Sequence, residues 1–133
     1  MKLLLDTHVW IWAEEQPERI GTRTRRLLTA AEHDTAICPV STLEISRLIA
    51  AGDIELSMPL ADWVAQSMAG LAAQTVPFTH AVAMEAYSLP APFHRDPADR
   101  VLIAAARLSS LTLVTADDRI LAYPHVRTQD ARR

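Results

Sequence analysis

Four acidic side chains stand just beyond apolar segments of this sequence or at the starts of predicted helices. Asp6 ends the apolar run at residues 2–5, and Asp117 lies shortly after the apolar run at 111–115. Glu44 and Asp99 each fall in the first turn of a predicted helix. Carboxylates gathered in one place repel one another, and their pKa values rise unless a cation offsets the charge. Mg²⁺ and Mn²⁺ suit that task because they prefer oxygen ligands, and paired divalent ions hydrolyse phosphodiesters by activating water and stabilising the leaving oxygen.

Most of these acids also have a structural interpretation. Glu44 is the third residue after Ser41, which is the spacing of a capping box. Asp96 and Asp117 are able to cap the helices that follow them, and Asp99 in a first turn favours the helix dipole. The residues alone leave both interpretations open.

The elements that must position these acids alternate between short apolar runs and segments with helical periodicity. This alternation predicts an α/β fold, a three-layer α/β/α sandwich with a mainly parallel central sheet. The carboxyl ends of such strands form the ligand-binding edge, where the four acids would meet. The predicted strands span residues 2–5, 36–40, 75–78 and 111–115, with an edge strand from 126. The predicted helices pass through 9–12, span about 23–33, 41–51, 59–73 and 117–123, and also begin at Thr79 and Asp96.

Length and composition exclude several classes of protein. The chain has 133 residues, 50% hydrophobic and 22% charged, which is the balance of one globular domain over residues 1–133. Cys38, the one cysteine, excludes an internal disulfide and an all-cysteine zinc site. No apolar run approaches the roughly 20 residues of a membrane span, and Asp6 comes too early for a signal peptide. We therefore expect a cytoplasmic protein without membrane contact.

Four segments of the sequence, in order, resemble one known family. They are Leu3-Leu4-Leu5-Asp6-Thr7-His8-Val9-Trp10, then Val40-Ser41-Thr42-Leu43-Glu44-Ile45, then His94-Arg95-Asp96-Pro97-Ala98-Asp99-Arg100-Val101-Leu102-Ile103-Ala104-Ala105, and finally Leu113-Val114-Thr115-Ala116-Asp117. Together they cover essentially the whole chain and resemble the PIN-domain ribonucleases, most closely the VapC-type toxins of bacterial toxin–antitoxin pairs. Each motif alone is weak, whereas the ordered set of four is specific.

The resemblance implies a PIN-like α/β/α sandwich and a Mg²⁺- or Mn²⁺-dependent endoribonuclease. Thr115 resembles the hydroxyl residue that lines the family's pocket, and Asp96 matches a second acid common in the VapC subgroup. Ala98 departs from the pattern, since close relatives often carry an aromatic residue there, but this removes no ligand. The acidic quartet of metal ligands and catalytic residues carries over to Asp6, Glu44, Asp99 and Asp117.

The resemblance also implies an RNA substrate, a cognate antitoxin protein and a homodimer. Arg95 and Arg100 flank the acidic segment and are predicted to contact RNA phosphates. Trp10 and Trp12, two residues apart on one helix, cannot share a face, so one of them should be partly exposed. A helix of the antitoxin is predicted to dock on an apolar patch, made of Trp10, Ile11, Trp12, Leu48 and Ile49.

Two other function classes remain. An aspartyl-phosphate phosphotransferase also uses an acid after its first strand, but it needs a lysine, and Lys2 lies at the wrong end of that strand. A PIN-fold binding module without nuclease activity would show no divalent-cation site. The net charge of −3 argues against a strongly basic nucleic-acid binder, but it includes the four proposed ligands, and setting them aside turns the balance slightly positive.

Overall fold

The chain alternates strands and helices along its length, as predicted. The computed structural model describes residues 1–90 and 95–133. In chain order the elements are β1 (Lys2–Leu5), α1 (Thr7–Glu15), a 3₁₀ turn (Pro17–Arg19), α2 (Thr22–Thr29), β2 (Asp34–Ile37), α3 (Pro39–Ala50), α4 (Leu60–Gly70), β3 (Gln74–Thr75), α5 (His80–Ala86), α6 (Pro97–Leu108), β4 (Thr112–Thr115), α7 (Asp118–Leu121) and β5 (Thr128–Asp130). No helix within these described ranges is long and apolar enough to cross a bilayer.

The sheet places β1 at its centre. Within the described residues, five strands lie in the order β3-β2-β1-β4-β5, and every neighbouring pair is parallel. The chain therefore leaves β1 in one direction to build β2 and β3, and later crosses to the other side to build β4 and β5. Such a reversal opens a crevice beyond the carboxyl ends of β1 and β4, where open α/β sheets bind their ligands.

Helices cover both faces of the sheet, which confirms the predicted three layers. Leu4 of β1 packs with α5 and α6 on one face, whereas Leu3 and Leu5 pack with α1 and α4 on the other. Side chains of a strand alternate between faces, so a strand covered on both sides must be apolar throughout. α6 supplies an unbroken buried run at 101–106, as expected from its apolar character all round.

The second strand and the helix after it differ from the prediction. The sequence favoured a strand over 36–40, but β2 ends at Ile37 and α3 begins at Pro39. Proline suits a first helical position because its fixed φ matches the helix and its missing N–H is not needed there. Ser41 therefore lies inside α3, and the capping box predicted from Ser41 to Glu44 is wrong.

Two other boundaries also shift. α2 ends at Thr29, whereas the sequence predicted an end near residue 33. At this end of the helix, the Thr29 hydroxyl donates to the carbonyl of Arg25 at 3.0 Å. β3 is confined to Gln74–Thr75, because Pro77 has no N–H to donate to a longer ladder.

The last residues of the chain pack against the start of α2. The N–H of Gly21 donates to the carbonyl of Ala131 at 2.8 Å, and the N–H of Thr24 donates to that of Arg133 at 2.9 Å. A Cβ added at Gly21 would lie 2.2 Å from the backbone carbon of Arg133. Position 21 therefore requires glycine because of this close backbone approach.

Candidate active site

A cleft of about 280 Å³, here called the acidic cleft, opens at the carboxyl edge of the sheet. It lies in the crevice beyond β1 and β4, where the topology predicts a ligand. All four predicted metal ligands and the supporting acid Asp96 reach it. The lining residues are Asp6, His8, Trp12, Glu44, Asp96, Asp99, Ala116, Asp117 and Arg119.

Asp6 is held at the end of β1 by two hydrogen bonds. The N–H of Thr7 donates to Oδ1 at 2.7 Å, and the Thr115 hydroxyl donates to Oδ2 at 2.7 Å. Asp6 thereby caps α1, a structural task that the sequence analysis missed. Thr115 also accepts from the N–H of Asp117 at 3.0 Å, so one hydroxyl couples the two acid-bearing strand ends. Burial raises the pKa of Asp6, and the bonds from Thr115 and Thr7 oppose that shift.

Glu44 reaches the acidic cleft from α3, whose first turn is tied to the first residue of α1. The Thr7 hydroxyl donates to Oγ of Ser41 at 3.0 Å, and both side chains are fully buried. Glu44 follows Ser41 by nearly one helical turn and is half-buried. Within the described part of the chain, Glu44 makes no hydrogen bond to the start of α3. Helix capping therefore does not explain an acid at this position.

The first turn of α6 brings two more acids to the acidic cleft. Asp96 caps the helix by accepting from the N–H groups of Ala98 at 2.9 Å and Asp99 at 3.3 Å, with Pro97 at the first helical position as predicted. Asp99 is only 8% exposed. Burial, followed by the charges of Asp6 and the other acids, raises the pKa of Asp99 from 3.8 to about 8. At neutral pH such a carboxyl group is largely protonated unless a cation is bound.

Asp117 reaches the acidic cleft from the N-cap of α7 and pairs with an arginine that the sequence analysis missed. The N–H of Arg119 donates to Oδ1 of Asp117 at 2.8 Å, and its Nη2 donates to Oδ2 at 3.1 Å. The bond to Asp117 raises the pKa of the Arg119 guanidinium. The two-residue spacing between Asp117 and Arg119 could have predicted this pair. An N-cap carboxylate accepts from the N–H two residues later, and this brings the side chain of that residue near the carboxylate.

The acidic cleft has the ligand chemistry that a hard divalent cation requires. It gathers five carboxylates, and the two that are buried, Asp6 and Asp99, have raised pKa values. In residues 1–90 and 95–133, no three Asp, Glu, His or Cys side chains are already arranged as a set of metal ligands. Both oxygens of Asp6 and of Asp117 accept from protein donors, which orients these two carboxylates at the cleft. Each oxygen of a carboxylate has two lone pairs, so an oxygen that accepts one such bond can also coordinate a cation.

Comparisons with known proteins identify the family. Residues 3–126 match the PIN domain family. The chain belongs to the PIN-domain family. It is 33% identical to Ribonuclease VapC22 of Mycobacterium tuberculosis (strain ATCC 25618 / H37Rv) over 125 residues, which cover 94% of this chain and 94% of the relative. This confirms the resemblance found in the sequence.

Solved structures share the PIN fold at low sequence identity. A chain in the crystal structure of VapBC2 from Rickettsia felis, bound to a DNA fragment from their promoter, matches with a TM-score of 0.70 and 15% identity over 97% of this chain and 98% of that chain. A chain in the crystal structure of FitAcB from Neisseria gonorrhoeae matches with a TM-score of 0.65 and 21% identity over 97% of each chain. These likenesses confirm the predicted fold class.

The two arginines predicted to contact RNA lie in different surroundings. Arg95 is exposed and lines a second cleft of about 680 Å³ that shares two acids with the acidic cleft. Arg100 instead points toward α5, where it donates to the carbonyl of Ala86 at 2.9 Å and lies 4.8 Å from the centre of the Tyr87 ring. In this PIN domain Arg100 therefore ties α6 to α5.

The sequence motifs contain two histidines, His8 and His94, and the structure describes His8. His8 is exposed and lines the acidic cleft. Its charge opposes the effect of burial on the pKa of Asp6. His94 lies outside the described residues.

The structure divides the apolar patch predicted for the antitoxin. Trp10 is fully buried, and its Nε1 donates to a serine hydroxyl of α4 at 2.8 Å, so its assignment to a surface patch is wrong. Trp12 is the partly exposed tryptophan of the pair, as expected, and lines the acidic cleft. Ile49 lines a separate groove of about 900 Å³, here called the helix groove, which is formed by the end of α3, the segment that joins it to α4, and the first residue of α4. Ile11 and Leu48 are half-buried.

Proposed function

We propose that this chain is a Mg²⁺- or Mn²⁺-dependent endoribonuclease that acts as the toxin of a toxin–antitoxin pair. Asp99 carries the proposal, because it is buried with a pKa of about 8 in a cleft shared with four other carboxylates. A buried acid that must ionise beside other acids needs a cation, and such sites are typically functional. The 33% identical relative is named a ribonuclease. PIN-domain nucleases of the VapC type are generally dependent on divalent metals.

The acids divide into ligands and positioning groups. Bound divalent cations supply an activated water and charge stabilisation for the leaving oxygen of a phosphodiester. Thr115 and the N–H of Thr7 fix the Asp6 carboxylate at the end of a rigid strand. Asp96 fixes the first turn of α6 and so orients the acid three residues later. The proposed metal ligands and catalytic residues are Asp6, Glu44, Asp99 and Asp117.

Cleavage assays on a labelled RNA pool test this proposal. The wild type should cut RNA with Mg²⁺ and stop with EDTA, and Asp6→Asn should lose cleavage because it removes a charged ligand at nearly constant volume. Asp62→Asn is the matched control, since Asp62 is exposed on α4 outside the acidic cleft. Cleavage by Asp6→Asn at the wild-type rate would sink the assignment.

Calorimetry with Mn²⁺ separates this function from the alternatives. A PIN-fold module used only for binding should show no divalent-cation site, whereas a nuclease should bind Mn²⁺ without RNA. The aspartyl-phosphate alternative needs a cation beside Asp6, but Lys2 is exposed at the opposite end of β1.

Arg95 is the better placed of the two arginines for RNA. It is exposed beside the acidic cleft, whereas Arg100 is engaged on α5. Replacing Arg95 with alanine should weaken RNA binding and reduce the slope of log affinity against log salt by about 0.7, the contribution of one phosphate contact on single strands. Arg100→Ala should leave that slope nearly unchanged. Equal slopes for wild type and Arg95→Ala would contradict the contact.

The helix groove is the proposed docking site for the antitoxin. Solved structures with this fold include a toxin–antitoxin complex from Klebsiella pneumoniae, with a TM-score of 0.65 and 17% identity. The groove offers apolar side chains to a helix of a partner, among them Ile49, Ile54, Leu56, Met58 and Leu60. Toxin, antitoxin and RNA would meet in the cytoplasm. Ile49→Glu should prevent co-purification with the protein encoded beside this gene, and an intact complex would contradict the site.

A second copy of the chain is the proposed partner of two exposed apolar side chains. Leu43 and Phe78 are 66% and 44% exposed. Apolar side chains so exposed are typical of an interface. Sedimentation of the purified protein should show a dimer, and Leu43→Glu should shift it to a monomer. A wild type that sediments as a monomer at every concentration contradicts the homodimer.

A further inference from the structure

Arg119 places a positive charge among the acids of the acidic cleft. Among the described residues, it is the one Lys or Arg side chain that lines this cleft, beside five carboxylates. The phosphates of RNA carry the same sign of charge as the ionised acids of the cleft, so a guanidinium beside these acids favours the approach of RNA.

The ion pair between Arg119 and Asp117 has two short contacts but contributes little to stability. The guanidinium approaches both carboxylate oxygens, with Nη2 at 3.1 Å from Oδ2 and Nε at 3.4 Å from Oδ1. The Arg119 side chain is 63% exposed, whereas that of Asp117 is 25% exposed. An ion pair with one partner so exposed contributes little to stability, so the arginine is able to leave at low cost.

We propose that Arg119 exchanges partners during the reaction cycle: it holds Asp117 in the metal-free protein and binds a phosphate of the RNA once Asp117 turns to a divalent cation. This inference rests on the proposed function and assigns Arg119 as a substrate-binding residue of the same site. The planar guanidinium that meets both oxygens of a carboxylate has the matching geometry for a phosphate. Oδ1 of Asp117 caps α7 by accepting from the backbone N–H of Arg119 at 2.8 Å, and this bond does not involve the guanidinium, so the Arg119 side chain can leave without breaking the cap.

The exchange makes two binding events respond in opposite directions to one substitution. Arg119→Gln removes the cation that competes for Asp117, so the affinity for Mn²⁺ measured without RNA should rise by about 5-fold or more. The same variant loses a phosphate contact. Its kcat/KM on a short random-sequence RNA should therefore fall, mainly through KM, and the slope of log kcat/KM against log salt should shrink by about 0.7.

Two further variants separate this role from a structural one. Arg127→Gln makes the same change of charge at the opposite end of β4, where Arg127 donates to the carbonyl of Ser110. It should leave the Mn²⁺ affinity and the salt slope at wild-type values. Arg119→Lys keeps the charge but loses the planar fork, so it should retain the salt slope with a higher KM. A merely structural Arg119 would instead lower the Mn²⁺ affinity in Arg119→Gln, because Asp117 would lose its support.

The outcomes distinguish this inference from the proposed function. The inference alone is overturned if the wild type binds Mn²⁺ and cuts RNA but Arg119→Gln fails either test. The variant fails if its salt slope equals that of the wild type, or if it binds Mn²⁺ no more tightly than the wild type does. A wild type that neither binds Mn²⁺ nor cuts RNA overturns both. Tighter Mn²⁺ binding combined with a smaller salt slope in Arg119→Gln supports the exchange.

Discussion

Replacing Asp99 with asparagine should remove a pH dependence from the stability of the metal-free protein. Asp99 is 8% exposed, and burial together with the neighbouring acids raises its pKa to about 8. The folded state therefore keeps a proton that the unfolded state releases near its pKa of 3.8. Because the folded state binds more protons, stability falls as the pH rises through the window between about 4 and 8. Asparagine is neutral in both states and carries no such dependence.

The magnitude follows from this window. Each pH unit inside it lowers the free energy of unfolding by about 1.4 kcal/mol for one such group. Between pH 5 and pH 7 the wild type should lose about 2.7 kcal/mol through Asp99. Asp6 also has a raised pKa, so it contributes a slope of the same sign to both proteins. The difference between wild type and Asp99→Asn therefore reports Asp99.

Urea denaturation in EDTA at several pH values between 5 and 7 measures this difference. The two proteins should diverge in favour of Asp99→Asn as the pH rises, while Asp62→Asn, exposed on α4, should follow the wild type. Added Mn²⁺ should stabilise the wild type more than Asp99→Asn, since the variant lacks one ligand. Parallel curves for wild type and Asp99→Asn would refute the burial argument on which the site rests.

Three other substitutions test two backbone positions of the fold and one hydrogen bond of the site. Gly21→Ala should lower the free energy of unfolding by about 1–3 kcal/mol, because its Cβ would lie 2.2 Å from the backbone carbon of Arg133; a wild-type urea midpoint would show that these segments do not pack together. Ala72→Gly should raise stability by about 1 kcal/mol, since Ala72 is exposed with a φ of 49°; thermal melting checks this, and a lower melting temperature contradicts it. Thr115→Val removes the hydroxyl that donates to Asp6 and should weaken Mn²⁺ binding about 10–100-fold; calorimetry measures this, and wild-type affinity would argue against the coupling.

The order of the elements, and the acids that stand at their ends, could be predicted from the amino-acid sequence. These features have local causes. Apolar runs predicted β1 and β4, and Asp96 followed by Pro97 predicted the start of α6. The parallel sheet then follows from the alternation of strands and helices, and it brings Asp6 and Asp117 to the same edge.

The start of α3 shows where local signals compete. Ser41 and Glu44 have the spacing of a capping box, but Pro39 begins the helix two residues earlier. A serine followed three residues later by a glutamate occurs both in capping boxes and inside helices, so the sequence does not distinguish the two. In the structure, the Ser41 hydroxyl is buried and accepts a hydrogen bond from Thr7. That bond joins residues far apart in the sequence, so only the tertiary structure removed the capping interpretation of Glu44.

The side chains that face the site could not be predicted from the sequence, because they depend on how each helix packs. Trp10 and Trp12 differ by two positions on α1, yet one is fully buried and the other lines the acidic cleft. Arg100 stands next to Asp99 in the sequence but points to α5, whereas Arg119 pairs with Asp117 inside the cleft. The physical reason is that helical periodicity fixes the angle between side chains, while the packing of each helix on the sheet fixes what lies opposite them. The acids and their order are therefore predictable from the sequence, whereas the packing of the helices determines that Arg119, and not Arg100, lies beside them.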